Sequence, residues 1–230
     1  MEQTQQNKYL VPLAVVVAGG LVAAAIYFGG SPGSSTPPIA DNPIVNDVEI
    51  TPVTEKDHII GSRSADLVVV EYSDTECPFC KTFHNTMKEA VRIYDGRVAW
   101  VYRHFPIAQL HSRAPKEAEA TECAGELGGN QAFWSYINRL FEVTESNDSL
   151  DPSELPKIAV AIGLDETAFN ACLSSGKYSE AIKKSVEEAI SAGALGTPYS
   201  VIVAQDGRQI VINGAEPLSS IRVTIDSLLK

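Results

Sequence analysis

The stretch that decides the fold is LVVVEYSDTECPFCKTFH, Leu67 to His84. LVVVEY is a β-branched apolar run of the kind found in a strand covered on both faces. A short polar segment, Ser73 to Glu76, leads to Cys77. Pro78 then suits the first turn of a helix, because its missing N–H would be unpaired there anyway. Phe83, Met87, Ala90, Val91 and Tyr94 give that helix one apolar face as far as about Tyr94. After a turn at Asp95-Gly96, VAWVYRH (Val98–His104) reads as a second strand. Strand, helix, strand is the opening of a βαβ unit with a parallel pair.

Downstream the pattern is helical from about 112 to 192. The candidates are Ser112–Leu127, Gln131–Phe141, Ser153–Ile162, Glu166–Leu173 and Tyr178–Ala192. Asp151-Pro152-Ser153-Glu154 marks one start with a cap residue, a proline and an acid. Two strands follow, Ser200–Ala204 and Gln209–Ile212, and Asp206-Gly207 between them is a strong hairpin signal. A last helix from about Leu218 places Leu218, Ile221, Ile225 and Leu228 on one face. The sum is βαβ, a block of helices, then ββα: an α/β thioredoxin-type sheet with a helical insertion.

Upstream, residues 9–28 read YLVPLAVVVAGGLVAAAIYF without a charge. About 20 such residues span the roughly 30 Å hydrocarbon layer as a helix. Lys8 precedes the run and no Lys or Arg follows before Lys56, so the bias of positive charge places residues 1–8 in the cytoplasm and the rest outside. The expectation is one N-terminal transmembrane anchor, with the catalytic domain extracytoplasmic at the cell membrane. A cleaved signal peptide ending near Ala23 and Ala25 is the rival, giving a secreted or periplasmic protein. Residues 29–55, rich in Gly, Ser and Pro at their start, read as a linker, and residues 56–230 as the domain, which begins between Ile44 and Lys56. The formal charge of −11 argues against nucleic-acid binding, which needs a basic face.

The chemistry centres on Cys77-Pro78-Phe79-Cys80. Two cysteines three apart at a helix start can close a small disulfide ring. The first sits where free backbone N–H groups and the helix dipole stabilise a thiolate, and a stabilised thiolate makes the disulfide form an oxidant. Cys80, one turn in, is the resolving thiol. A zinc site would need a second ligand set, and Cys123 and Cys172 form no such knuckle. No metal and no cofactor are expected. An inert structural disulfide is the other reading of the pair.

Glu71 ends an apolar run. Burial would raise its pKa and let it exchange protons with Cys80; a solvent-facing strand end is the alternative. Leu195-Gly196-Thr197-Pro198-Tyr199 reads as a tight lead-in to a strand. His84 falls near the face of Cys77 and reads as a packing or surface histidine. His104 and His111 read as structural, and His58 is uninformative. Asn147-Asp148-Ser149 matches a glycosylation acceptor.

Taken together, VVVEYSDTECPFCKTFH, VYRHFP, AEATECAGELG with AFW, FNACLSS and GTPYSVIV resemble the DsbA-like thiol–disulfide oxidoreductases of the thioredoxin superfamily, in membrane-anchored form. The likeness covers roughly residues 57 to 230. It implies that Cys77 is the nucleophile, Cys80 the resolving cysteine and Glu71 the buried acid. It also implies that Pro198 is a cis-proline facing the disulfide, with Thr197 helping to hold substrate backbone. Family members carry cysteines in the contexts of Cys123 and Cys172, which implies a structural disulfide; two free buried thiols are the alternative. The implied partners are reduced exported proteins as substrates and a membrane-embedded, quinone-linked reoxidant.

Two features depart from the most oxidising pattern. The dipeptide is Pro78-Phe79 where the best-known members have Pro-His. Glu76 stands beside the nucleophile, where its charge would oppose a thiolate. The expected activity is dithiol oxidation, with a reductase or isomerase of the same fold as the nearest rival. A tethered binding or chaperone-like module with a structural CxxC is the rival from another class.

Overall fold

The computed structural model describes residues 44–45 and 48–230. The expected anchor at 9–28, and the tail before it, lie outside the described residues. Among the described residues no helix is long and apolar enough to cross a membrane.

Leu67–Ser73 (β3) is buried along its whole length, as its unbroken apolar run requires. It pairs in parallel with Val98–His104 (β4) and antiparallel with Tyr199–Ala204 (β5). Gln209–Asn213 (β6) joins β5 through the Asp206-Gly207 turn, where Gly207 takes φ +88° and Asp206 Oδ1 accepts the Arg208 N–H at 3.0 Å. Two short edge strands complete the sheet. Ile44–Val45 (β1) pairs with β6, inside the segment that composition reads as linker, and His58–Ile60 (β2) pairs with β4. The strand order is β1-β6-β5-β3-β4-β2.

Helix Pro78–Ile93 (α1) lies on one face of this sheet. Its Phe83, Met87 and Ala90 pack on Leu67, Val69 and Trp100, together with Ile221 and Ile225 of Leu218–Leu228 (α6). Ala114–Val143 (α2), Glu154–Ala161 (α3), Glu166–Ser175 (α4) and Ser179–Ser191 (α5) make up the insertion. The two helices expected on either side of Gly128-Gly129 both form within α2, separated by a kink where Gly129 takes φ 71°, ψ −167°. The second half of α2 sends Phe133, Trp134, Ile137 and Phe141 into the first core, while Ala120, Cys123, Tyr136 and Leu140 join Leu155, Ile158 and Phe169 in a core of the insertion's own. From α5, Val186 and Ala189 close the far face of the sheet over Val68, Val70 and Val101.

Cys123 and Cys172 are joined by a disulfide that links α2 to α4. Asp165 caps α4, accepting the Ala168 N–H at 2.7 Å.

Candidate active site

The turn between β3 and α1 is built by Asp74. One of its carboxylate oxygens accepts the Glu76 N–H at 2.8 Å; the other accepts the Ile107 N–H at 2.7 Å and meets His111 Nδ1 at 2.9 Å. This brings Cys77 to the N-cap of α1, with Pro78 in the first turn and the free N–H groups of the helix around its sulfur. Cys77 and Cys80 are both unpaired thiols, buried from the bulk, while Pro78 and Phe79 between them are exposed, Phe79 by 64 %.

The two thiols are driven apart. The Cys77 thiol is lowered to about 6, chiefly by the hydrogen bond it receives from Cys80. Burial works against this, and the backbone N–H groups of Cys80 and Phe79 and the Thr197 hydroxyl add to it. The Cys80 thiol is pushed well above the ordinary range, first by burial and then by the Cys77 and Glu71 charges. The Asp74 N–H points at Cys80 Sγ from 3.4 Å.

Thr197 and Pro198 stand opposite. The Thr197-Pro198 bond is cis, and the Thr197 carbonyl lies 3.5 Å from Cys77 Sγ. The Thr197 hydroxyl is buried on the same side of the pair.

Glu71 lies beneath α1. Residues 67, 69 and 71 share one side of β3, and Leu67 and Val69 pack in the same core as Cys80. The Glu71 side chain is fully buried, and burial raises its carboxyl to about 7 against hydrogen bonds from Ser73 and from Trp100 Nε1, the latter 2.8 Å away. The solvent-facing reading of Glu71 is therefore replaced by the buried one. His84 is the packing residue its position implied. It is buried against Trp100 and Phe141, bonded to Asn138 at 2.7 Å, and lowered to about 4 by burial.

Glu76 does not present its charge as its place in the sequence implies. Its side chain turns inward and accepts from Thr144 Oγ1 at 3.1 Å, close to Glu117 of α2. Glu117 is raised to about 9, by burial first and then by Glu76, while Thr75 Oγ1 donates to it at 2.7 Å. The stretch after α2 completes this clasp: Ser146, Asn147 and Asp148 all take positive φ, and Asn147 N–H donates to the Glu76 carbonyl at 2.8 Å.

Glu117, Thr144 and His111 were not legible as neighbours of the pair. Burial opposes the His111 cation, but Asp74 and the Cys77 thiolate raise its pKa. The only sequence signal for these contacts is the density of polar residues from Ser73 to Glu76, which needs partners once buried. Among the described residues no group of His, Cys, Asp and Glu could hold a metal ion.

A family model described as Thioredoxin matches residues 53–226. The solved structure of Pseudomonas aeruginosa DsbA2 is 30% identical, with a TM-score of 0.67, covering 77% of this chain and 97% of that one. The chain belongs to the thioredoxin family, in its DsbA-like branch. Wolbachia pipientis alpha-DsbA1 (24% identical, TM-score 0.66, 76% of this chain and 92% of that one) and Bacillus subtilis BdbD (20%, 0.65, 75% and 92%) share the fold of this DsbA-like chain. Among curated relatives, the Na(+)/H(+) antiporter NhaA 3 of Salinispora tropica is 34% identical over 144 residues, which are 63% of this chain and 21% of that protein. The NhaA 1 antiporter of Mycolicibacterium vanbaalenii is 33% identical over 146 residues, 63% of this chain and 23% of that protein. The DsbA-like chain thus spans about a fifth of the length of the curated relatives it matches.

Proposed function

We propose that this DsbA-like domain is an extracytoplasmic dithiol oxidase that introduces disulfides into exported proteins through Cys77 and Cys80. The observation that carries the reading is the split between the two thiols: Cys77 is lowered to about 6 and Cys80 is raised. A thiol that ionises readily leaves readily, so a mixed disulfide on Cys77 resolves toward oxidised substrate.

In the reaction, a substrate thiolate attacks Cys77 Sγ of the disulfide form. The Cys77–Cys80 bond breaks, its electron pair stays on Cys80, and Cys80 takes up a proton. Glu71, held near 7 directly beneath, is the acid that supplies it. A second substrate thiolate then attacks the substrate sulfur of the mixed disulfide, and Cys77 leaves as a thiolate stabilised by the start of α1 and the Thr197 hydroxyl. The substrate is oxidised by two electrons and the pair is reduced by two.

Exposed Phe79 between the two cysteines would offer apolar contact to an unfolded chain, and Thr197 and Pro198, facing Cys77, would hold its backbone. A quinone-linked membrane protein is the reoxidant this reading calls for, and a tether at residues 9–28 would keep the domain near it.

The test is the equilibrium of the pair with glutathione, together with the Cys77 pKa followed by thiolate absorbance. A Cys77 pKa near the 8.5 or so of a free cysteine would sink the activated nucleophile. A potential near the roughly −270 mV of thioredoxin would turn the reading to a reductase. Normal oxidative refolding of a reduced substrate by Cys77→Ala would leave only a tethered binding module.

A further inference from the structure

Four buried side-chain oxygens lie together under α1 without a hydrogen-bond partner at full geometry: Glu71 Oε1, Ser73 Oγ, Tyr102 OH and Ser200 Oγ. Their residues are at most 2 % exposed. Strand register explains the grouping. Ser200 on β5 and Tyr102 on β4 flank Glu71 directly, and Ser73 is two residues along β3 on the same side. The row continues outward, because His58 on the edge strand β2 is opposite Tyr102. A polar row therefore crosses a face that is otherwise apolar, from beneath Cys80 to the sheet edge.

Buried polar groups are as a rule held for hydrogen bonding, so hydroxyls gathered beside a buried acid form a chemically significant row. The surrounding groups point to its use. The Ser73 hydroxyl lies close enough to Glu71 and to Tyr102 to lower the pKa of both, and the charges of Cys80 and Glu71 both act on the Tyr102 hydroxyl. The ring of Tyr102 meets that of His104 edge-on at 5.3 Å. His104 and His58 then meet the two oxygens of Glu122 on α2, at 3.1 and 3.2 Å. Tyr102, His104, Glu122 and His58 all line an open cleft of about 450 Å³. Among the described residues, the ionisable groups around the row are Cys77, Cys80 and His84 at α1, Asp74 from the loop before it, Glu71 from β3, Tyr102 and His104 from β4, His58 from β2 and Glu122 from α2.

We infer that Ser73 and Tyr102 are positioning residues for proton transfer, their hydroxyls linking the Glu71 carboxyl to the cleft at the β2 edge. The inference rests on the proposed role of Glu71 as the acid for Cys80. When Cys80 leaves as a thiolate it takes the Glu71 proton. Glu71 is then reprotonated through the Ser73 and Tyr102 hydroxyls, each giving up one proton and gaining another, so that one proton enters from the cleft for each thiolate neutralised.

The experiment follows reduction of the oxidised protein by a small dithiol, in light and heavy water, across the pH range in which Glu71 titrates. It compares wild type with Tyr102→Phe, Ser73→Ala and Glu71→Gln. Tyr102→Phe keeps the ring and its packing, and Ser73→Ala is the second route if that variant fails to fold. The expected result is a loss of rate on the order of tenfold in either hydroxyl variant, smaller than the roughly 10²–10⁴ of a primary acid–base group. A larger solvent isotope effect and a flattened pH profile should accompany it, neither of which a packing defect would produce. Wild-type rate and isotope effect in both hydroxyl variants, with Glu71→Gln slow, overturn the inference alone. Wild-type behaviour in Glu71→Gln overturns the role of Glu71, and the inference with it.

Discussion

Cys77 and Cys80 are three positions apart and both buried, yet their thiols shift in opposite directions. The difference is one of place: Cys77 stands at the helix N-cap, where the backbone of Phe79 and Cys80 helps to lower its pKa, whereas Cys80 is enclosed near Glu71, Trp100 and the sheet. A pH dependence follows. In the reduced protein the Cys77 pKa of about 6 lies below that of an unfolded thiol. The stabilisation it brings is full above the unfolded thiol pKa and is lost as pH falls through about 6. The oxidised protein has no such group. Reduced protein should therefore gain stability over oxidised protein as pH rises from about 6 to about 8, read as diverging denaturant midpoints. In Cys77→Ser the gain should vanish, and parallel curves for the wild type would contradict the depressed thiol. The pair and Glu71 were legible because their signals are local: C-x-x-C between a strand and an amphipathic helix, and an acid ending LVVV. The inward turn of Glu76 was not, since its partners Thr144 and Glu117 come from the far ends of α2.

At the scale of elements, the long α2 joins two cores by bending once. Gly129 takes φ 71°, ψ −167°, a conformation open in practice only to glycine. A Cβ placed there would meet no atom within 4 Å, so the cost of a side chain is purely one of backbone. Gly129→Ala should destabilise the protein by roughly 1–3 kcal/mol in denaturant titrations. Unchanged stability would mean that the bend relaxes. This break could be read from Gly128-Gly129 between two apolar periodicities, as the hairpin could from Asp206-Gly207. The edge strands β1 and β2 could not. At two and three residues they carry no periodicity, and they exist because β6 and β4 offer unpaired backbone to them. The Asp151 cap also shifted in meaning: its side chain accepts from Ser153 at 2.8 Å and sets a turn, after which α3 begins at Glu154.

For the molecule as a whole, the question is how the insertion moves with the sheet that carries the thiols. Its first helices have their own core, but α5 lies against β3 and β4, and one buried cation ties the parts together. Arg103, 8 % exposed on β4, binds Asp57 at 2.9 Å and the Tyr72 hydroxyl at 3.2 Å, and it pairs with Glu188 of α5. Tyr72 donates to the same Glu188 oxygen at 2.6 Å. Removing the cation would leave two carboxylates, 12 % and 19 % exposed, facing each other without compensation. Arg103→Ala should therefore cost toward the low end of the roughly 3–5 kcal/mol of a broken buried pair, because both acids keep some water. Arg103→Ala with Glu188→Gln should recover part of the loss, since one of the stranded charges is gone. Because α5 and the second half of α2 also pack on the sheet, the variant should still unfold in one transition with an unchanged denaturant slope. A second transition would show that Arg103 holds the insertion to the sheet as a separate unit, and an unshifted midpoint would show that water already screens the pair.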